Sequence, residues 1–247
     1  MTVDLLAFGP HPDDIEIGIG GTVALHAALG YRVGLCDLTV GELGSNGTPD
    51  ERLAEGEEAR RVLGAEWREN LRLPDGRLDP EPPAIQAIVE IVRRTRPRVV
   101  AAPIDRDRHP DHAAASRLVA RGVFMAGLRR YEAAGDPWRP DWICYYFIND
   151  MGTPSFVVDV SACYDIKRLA LACHRSQFAP TEPERVETRL TSTCFRQLIE
   201  SRDAQFGASI GVAFAEGFVV TEPLVRQTLF KVDQGATTGA HPGAGAR

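Results

Sequence analysis

No apolar run in the sequence approaches the ~20 residues that a membrane-spanning helix requires. The residues after Met1, "TVDLLAFG", have neither the positive n-region nor the cleavage site of a secretory signal. Positive charge is not in excess: 28 Lys and Arg stand against 34 Asp and Glu, a formal net charge of −6. Nucleic acids are bound by basic faces, so that class of partner is excluded. Cysteine is sparse. Cys36, Cys144, Cys163, Cys173 and Cys194 are odd in number, scattered, and form no C-x-x-C pair. That spacing fits reduced core thiols better than a disulfide framework or a zinc ribbon. These absences leave a cytoplasmic globular protein, with no membrane and no nucleic-acid partner.

What is present suffices for a sizeable core. Of 247 residues, 44% are hydrophobic and 25% charged, and the length fits one large α/β domain. "VDLLAFG" (3–9), "YRVGLCDLTV" (31–40) and "RVVAAPI" (98–104) read as buried strands, with another short strand near "ENLRLPD". Between them, "TVALHAALG" (22–30), the charged "DERLAEGEEARRVLG" (50–64) and "PPAIQAIVEIVRRTRP" (82–97) read as helices, with Gly30 and Gly64 as C-caps. The alternation predicts a parallel, doubly wound sheet with helices on both faces. Beyond it, a helix is expected over 109–131, strands over 141–149 and 155–160, and helices over 164–178 and 193–207. The tail "QGATTGAHPGAGAR" (234–247) has almost nothing to bury and is expected to be disordered. A single domain over 1–233 followed by that tail is the simplest organisation.

The chemistry-bearing residues fall at the ends of predicted strands. "PHPDD" (10–14) follows the first strand, and "DRDRHPDH" (105–112) follows "RVVAAPI". Ligands bind at the carboxyl edge of open α/β sheets, so two His-Pro-Asp tripeptides remote in sequence can converge there. A third His-Pro, at 241–242, has no carboxylate beside it and is set aside. A hydrolytic zinc site takes three protein ligands, commonly two His and one carboxylate, and leaves one position open. His11, Asp14 and His112 make such a set. A Zn²⁺ ion so held lowers the pKa of water toward ~7 and polarises a substrate carbonyl. A carboxylate that does not bind metal must then take the water's proton, and Asp13 is the candidate. His109 can stabilise the developing oxyanion or protonate the leaving amine, with Asp111 orienting its ring. The competing reading makes both segments simple turns, since Pro-Asp is a common turn and N-cap device.

The glycines in "GIGGT" (18–22) invite a different reading, a nucleotide- or sugar-binding protein. The G-x-G-x-x-G spacing fails, because position 23 is Val, and Gly18 lies too far beyond Gly9 for the tight turn that motif makes. Gly20 and Gly21 are better explained by close approach of a helix to the sheet.

With both motifs in view, "HPDD.E.G.GGT" (11–22) and "DRHPDH" (107–112), the sequence resembles the zinc-dependent LmbE-like (PIG-L) N-acetylglucosamine deacetylases. More narrowly it is similar to the bacillithiol-biosynthesis deacetylases, through "SNGTPDER", "RLPDGRL", "YYFIND", "FVVDVS" and "ESRDAQFGASIGVAFAEGF". The resemblance covers about residues 2–225. It implies a Rossmann-like fold, Zn²⁺ on His11, Asp14 and His112, Asp13 as general base, and His109 at the tetrahedral intermediate. It implies hydrolysis of the acetyl amide of N-acetylglucosaminyl-malate, an amino-sugar conjugate, by a homo-oligomer. An amidase acting on another conjugate, of the mycothiol type, is the alternative within enzymes. Arg52, in "GTPDER", matches an arginine expected to contact substrate, where a guanidinium suits a carboxylate or sugar hydroxyls; otherwise it is an exposed residue of a first helical turn. Arg108 and Arg129 are candidates of the same kind. Some relatives carry a tyrosine in the segment matching "LTSTCFRQL" (190–198), but this chain has Cys194 and Phe195 there, and neither supplies that hydroxyl.

Overall fold

Strand and helix alternate through the first half of the chain, as β1 (Leu5–Gly9), α1 (Asp14–Ala28), β2 (Val33–Asp37), α2 (Pro49–Leu63), β3 (Trp67–Asn70), α3 (Pro82–Thr95), β4 (Val99–Pro103), α4 (Pro110–Ala126) and β5 (Trp142–Tyr146). The second half adds β6 (Phe156–Asp159), α5 (Tyr164–Cys173), α6 (Arg175–Phe178), α7 (Thr193–Ile210) and β7 (Ala215–Val219). The structure, a computed structural model, describes residues 2–179 and 186–223. The tail over 234–247 lies outside the described residues.

The seven strands described form one sheet in the order β3-β2-β1-β4-β5-β7-β6. β3, β2, β1, β4 and β5 are parallel; β7 is antiparallel to both β5 and β6. Side chains alternate along β1. Leu5 and Ala7 join Ile15, Ile17 and Ile19 of α1 on one face. Leu6 and Phe8 join Ile88 of α3 and Leu118 of α4 on the other. Both faces are covered, which is why the strand sequence is a continuous apolar run. The expected mostly parallel α/β sheet, with helices on both faces, is the fold observed.

Helix ends follow from local chemistry. Thr48 accepts from the Glu51 amide while Glu51 reaches back, a capping box ahead of Pro49, and Gly64 closes α2 at φ 74°. At α4 the N-cap is a histidine: the His109 ring accepts from the Asp111 amide, and Pro110 follows it.

Four details differ from the sequence expectation. The helix expected over 22–30 begins at Asp14, so the glycine stretch is helical, with a break at Ile19 (φ −140°, ψ 23°). A Cβ on Gly18 would overlap the Tyr146 ring, and one on Gly21 would press on Val160; these glycines permit close packing and are no phosphate loop. The helix over 109–131 stops at Ala126, and the one over 164–178 is broken at His174. β7 was not expected, because Glu216 and Gly217 interrupt its apolar pattern, and it closes the sheet antiparallel. Cys36, Cys144, Cys163 and Cys173 are buried thiols, whereas Cys194 is exposed. No helix among the described residues is long and apolar enough to cross a membrane.

Candidate active site

The strand order reverses direction between β1 and β4, and such a switch point opens a crevice at the carboxyl edge. His11 follows β1 and His112 follows β4, so each sits beside it. Loops after all five parallel strands meet in a pocket of about 490 Å³, lined among others by His11, Asp13, Asp14, Asp75, His112 and Asn149.

At its floor, two histidines converge on one carboxylate. Asp14 Oδ2 lies 2.9 Å from His11 Nδ1 and 3.4 Å from His112 Nε2, and it also accepts the His11 backbone N–H at 3.0 Å. Each ring turns its other nitrogen to an acid. His11 Nε2 lies 3.0 Å from Asp75 Oδ1 and 3.4 Å from Asp111 Oδ2. His112 Nδ1 lies 3.1 Å from Asp107 Oδ1, and Asn149 fixes Asp107 through its backbone N–H at 3.0 Å and its side-chain amide at 2.9 Å. Carboxylates behind the outward nitrogens are the usual companions of metal-ligating histidines, because they set the tautomer and raise ligand basicity.

The donor set fits a divalent ion. Ligand atoms ~2 Å from a tetrahedral ion stand roughly 3.3 Å apart, and the two distances to Asp14 Oδ2 bracket that value. One donor atom from each of His11, Asp14 and His112 lies within 4.8 Å of the others, and all three residues are buried. His11, His109 and Asp111 form a second group at the same spacing, but His109 is exposed and its Nδ1 already accepts from Asp111 N at 3.2 Å.

Electrostatics distinguish the four central groups. Burial alone would lower the pKa of His11 and of His112. The acids around them outweigh it, raising His11 well above its ordinary value and His112 to about 9. Burial likewise opposes ionisation of Asp14, yet the two imidazoles hold its carboxyl well below the usual range. Asp13 goes the other way: burial, only partly offset by Arg52, raises it to about 6. Asp13 also has φ 123°, a conformation that costs a non-glycine residue on the order of 1–3 kcal/mol. Its Oδ2 is buried and accepts no hydrogen bond, although Arg52 Nη2 stands 3.6 Å away. The adjacent aspartates are therefore unequal: three nitrogens face Asp14 Oδ2, while Asp13 Oδ2 is an acceptor to spare.

His109 lies beside this floor, its ring centroid 4.9 Å from that of His11, and burial followed by the neighbouring His11 and His112 lowers its pKa. Because Nδ1 accepts from Asp111 N, the neutral ring assigned by that bond carries its proton on Nε2.

Other expected residues require correction. The Asp111 carboxylate does not orient the His109 ring; it accepts from Gly76 N at 2.7 Å and faces His11, leaving only its backbone N–H to His109. Arg52 is buried, not exposed: Nη1 donates to Gly41 O at 3.0 Å and Nη2 to Pro12 O at 3.1 Å, so it fixes the turn that carries Asp13. Arg108 is at the pocket. Arg129 is not. It lies past the C-terminal end of α4, about 25 Å of helix from His109. Phe195 lines the pocket where some relatives place a hydroxyl, and Cys194 is turned out to solvent. Asp75 and Asn149 escaped the sequence reading as site residues. Their signal is positional, since each follows the carboxyl end of a parallel strand.

Known proteins place this geometry. Residues 6–123 match the GlcNAc-PI de-N-acetylase (PIG-L) family, a span that contains both His-Pro-Asp segments. Diacetylchitobiose deacetylase of Thermococcus kodakarensis is 30% identical over 189 residues, covering 70% of each chain. The 1D-myo-inositol 2-acetamido-2-deoxy-alpha-D-glucopyranoside deacetylase of Rhodococcus opacus is 30% identical over 239 residues, covering 70% of this chain and 81% of its own. The crystal structure of the conserved protein TT1542 from Thermus thermophilus superposes with TM-score 0.85 at 40% identity, over 94% of this chain and 100% of that one. Two motifs meeting in one pocket, inside the matched region and on the shared fold, mark this chain as a member of the PIG-L (LmbE-like) family of deacetylases.

Proposed function

We propose that the chain is a zinc-dependent deacetylase that hydrolyses the N-acetyl amide of an N-acetylglucosamine conjugate, with N-acetylglucosaminyl-L-malate of bacillithiol biosynthesis as its substrate. The observation that carries this reading is the pairing at the pocket floor. His11, Asp14 and His112 converge as donors, and beside them Asp13 Oδ2 is buried and unpartnered. When bound by those three residues, a Zn²⁺ ion supplies Lewis acidity, acidifying water and polarising the amide carbonyl.

The chain's own groups do the rest. Asp13, made more basic than an ordinary aspartate by burial and holding a free acceptor oxygen, takes the proton of the attacking water as the new C–O bond forms. His109 Nε2–H donates to the carbonyl oxygen as negative charge develops there. Asp13 then returns the proton to the nitrogen as the C–N bond breaks, so acetate and the amine leave. Arg52 keeps the Pro12–Asp13 turn from relaxing and is a positioning group more than a substrate contact.

Malate is favoured by the rim. Arg108 and Arg189 are exposed at the pocket, and neither has a carboxylate partner among the described residues. Two such guanidiniums suit an anionic aglycone. A neutral aglycone, such as the inositol of the Rhodococcus relative's substrate, is the second reading, supported by that likeness. The buried free thiols suit a reducing, cytoplasmic setting.

The test compares amine release from N-acetylglucosaminyl-malate, the inositol glycoside and diacetylchitobiose by the zinc-loaded enzyme. The proposal expects the highest kcat/KM for the malate conjugate, falling several-fold through KM in Arg108→Ala for that substrate alone. A higher kcat/KM for either neutral substrate overturns the malate assignment. Release from none overturns the activity.

A further inference from the structure

The break in α1 joins the two halves of the metal centre. In an unbroken helix the Ile17 carbonyl would receive the Gly21 amide, and the Gly18 carbonyl the Thr22 amide. At the Ile19 break, charged side chains from the far end of the chain take those places. Arg202 Nη2 donates to Ile17 O at 2.6 Å, and Glu216 accepts Gly21 N–H at 2.9 Å and Thr22 N–H at 2.6 Å. The two are linked through the interior. Arg202 Nε donates to Asp203 Oδ1 at 3.0 Å, and Lys167 Nζ bridges Asp203 Oδ2 at 2.7 Å and Glu216 Oε1 at 2.6 Å. All four residues are buried.

Arg202 has a second grip. Its Nη1 donates to Phe147 O at 3.0 Å and Ile148 O at 2.7 Å, in the loop after β5. The next residue, Asn149, holds Asp107, which in turn backs His112. One guanidinium thus ties the α1 segment that begins at Asp14 to the loop that orients His112. Only a planar fork can reach three carbonyls on two segments and still engage a carboxylate; an ammonium donates from a single point.

We propose that Arg202 is a positioning residue for the metal centre: its guanidinium fixes the α1 segment bearing Asp14 relative to the β5 loop that orients His112. The inference rests on the metal centre proposed above. The molecule contains its own control. Arg93 is as buried as Arg202 and also spends its guanidinium on carbonyls, those of Ala126, Leu128, Tyr131 and Ala133, at the end of α4 away from the pocket. Removing either loosens the fold. Arg93 meets α4 only at its far end, at Ala126, about 20 Å of helix from His112; Arg202 reaches Ile17, within one turn of Asp14, and Ile148, next to Asn149.

The experiment compares Arg202→Lys with Arg93→Lys in the full chain. Zinc affinity is read by competition with a chromophoric chelator, the visible spectrum after Co²⁺ loading reports ligand geometry, and urea unfolding reports stability. Arg202→Lys is expected to weaken zinc binding about 10- to 100-fold, the range for groups that support metal ligands, and to alter the cobalt bands. Arg93→Lys should stay within about twofold of wild type at a similar loss of stability. Unchanged affinity in Arg202→Lys, or equal weakening in both, overturns the inference. A wild type that binds no metal overturns the metal centre itself, a distinct failure. If Arg202→Lys does not fold, hydrogen exchange on the wild type carries the test, because coupling between sites is reciprocal. Stripping zinc should speed exchange at Gly21, Thr22 and Asn149 and leave Gly127 and Leu128 unchanged, whereas a uniform change, or none, contradicts the coupling.

Discussion

Around Lys167 and Arg202 two cations meet two carboxylates, and none of the four side chains has an unpartnered polar atom. Around His11 and His112 five aspartates, Asp13, Asp14, Asp75, Asp107 and Asp111, crowd three histidines and one arginine, and Asp13 Oδ2 has no donor. His11, Asp13, Asp14 and His112 are buried like the Lys167 cluster, so burial alone does not separate scaffold from site. Balance is. A buried charge cluster that closes on itself holds elements together. One with surplus negative charge and a spare acceptor is arranged for a cation and a proton that the chain does not itself supply.

Several substitutions would break that contrast or sharpen it. The largest effect is expected at His11→Ala, which removes a donor that Asp14 cannot replace: bound metal and deacetylation should both fall to background, read by metal analysis and amine release. Asp13→Asn should keep the metal and lose turnover by about 10²- to 10⁴-fold, the usual contribution of a positioned base. Near-normal kcat in that variant would remove Asp13 from the chemistry. Lys167→Met tests the other cluster. It leaves Asp203 and Glu216 facing each other in the interior and should lower the unfolding free energy by about 3–5 kcal/mol in urea titrations; a loss under ~1 kcal/mol would mean the cluster is not a brace.

The smallest effect is a pH dependence in the metal-free protein. The acids beside His112 raise its pKa from 6.5 to about 9 in the folded state. Its stabilising contribution is complete below about pH 6.5 and is lost as the pH climbs through 9. Metal-free enzyme should therefore unfold at lower urea at pH 9 than at pH 6.5. Bound metal should remove or reverse the trend, because ligation needs the neutral imidazole. A flat profile for the metal-free form would contradict the pairing of His112 with Asp14 and Asp107.

The sequence made legible those features that local chemistry dictates. Apolar runs flanked by Gly and Pro located β1, β2 and β4, and Gly64 marked the C-terminal end of α2. The two His-Pro-Asp segments were readable because each follows a strand and the carboxyl edge of a parallel sheet gathers such segments. The supporting groups were not readable. Asp75 and Asn149 lie in the resemblance segments "RLPDGRL" and "YYFIND", but nothing local gives either a role, and only the order of β3 and β5 in the sheet brings them to the histidines. Arg129 was a candidate by residue type alone, and the length of α4 carries it away. Arg202 sits in a helix with nothing nearby in sequence to announce its partners at Ile17 and Ile148. Residues that act through long-range backbone contacts leave no local spacing to find.

Anomalous diffraction at the zinc edge from crystals of the zinc-loaded protein tests the central claim most directly. The account predicts one principal peak per chain, about 2 Å from His11 Nδ1, Asp14 Oδ2 and His112 Nε2, with Asp13 beside it and unligated. A principal peak between His11 Nε2, His109 and Asp111 instead, or no ordered metal at the pocket floor, would contradict it.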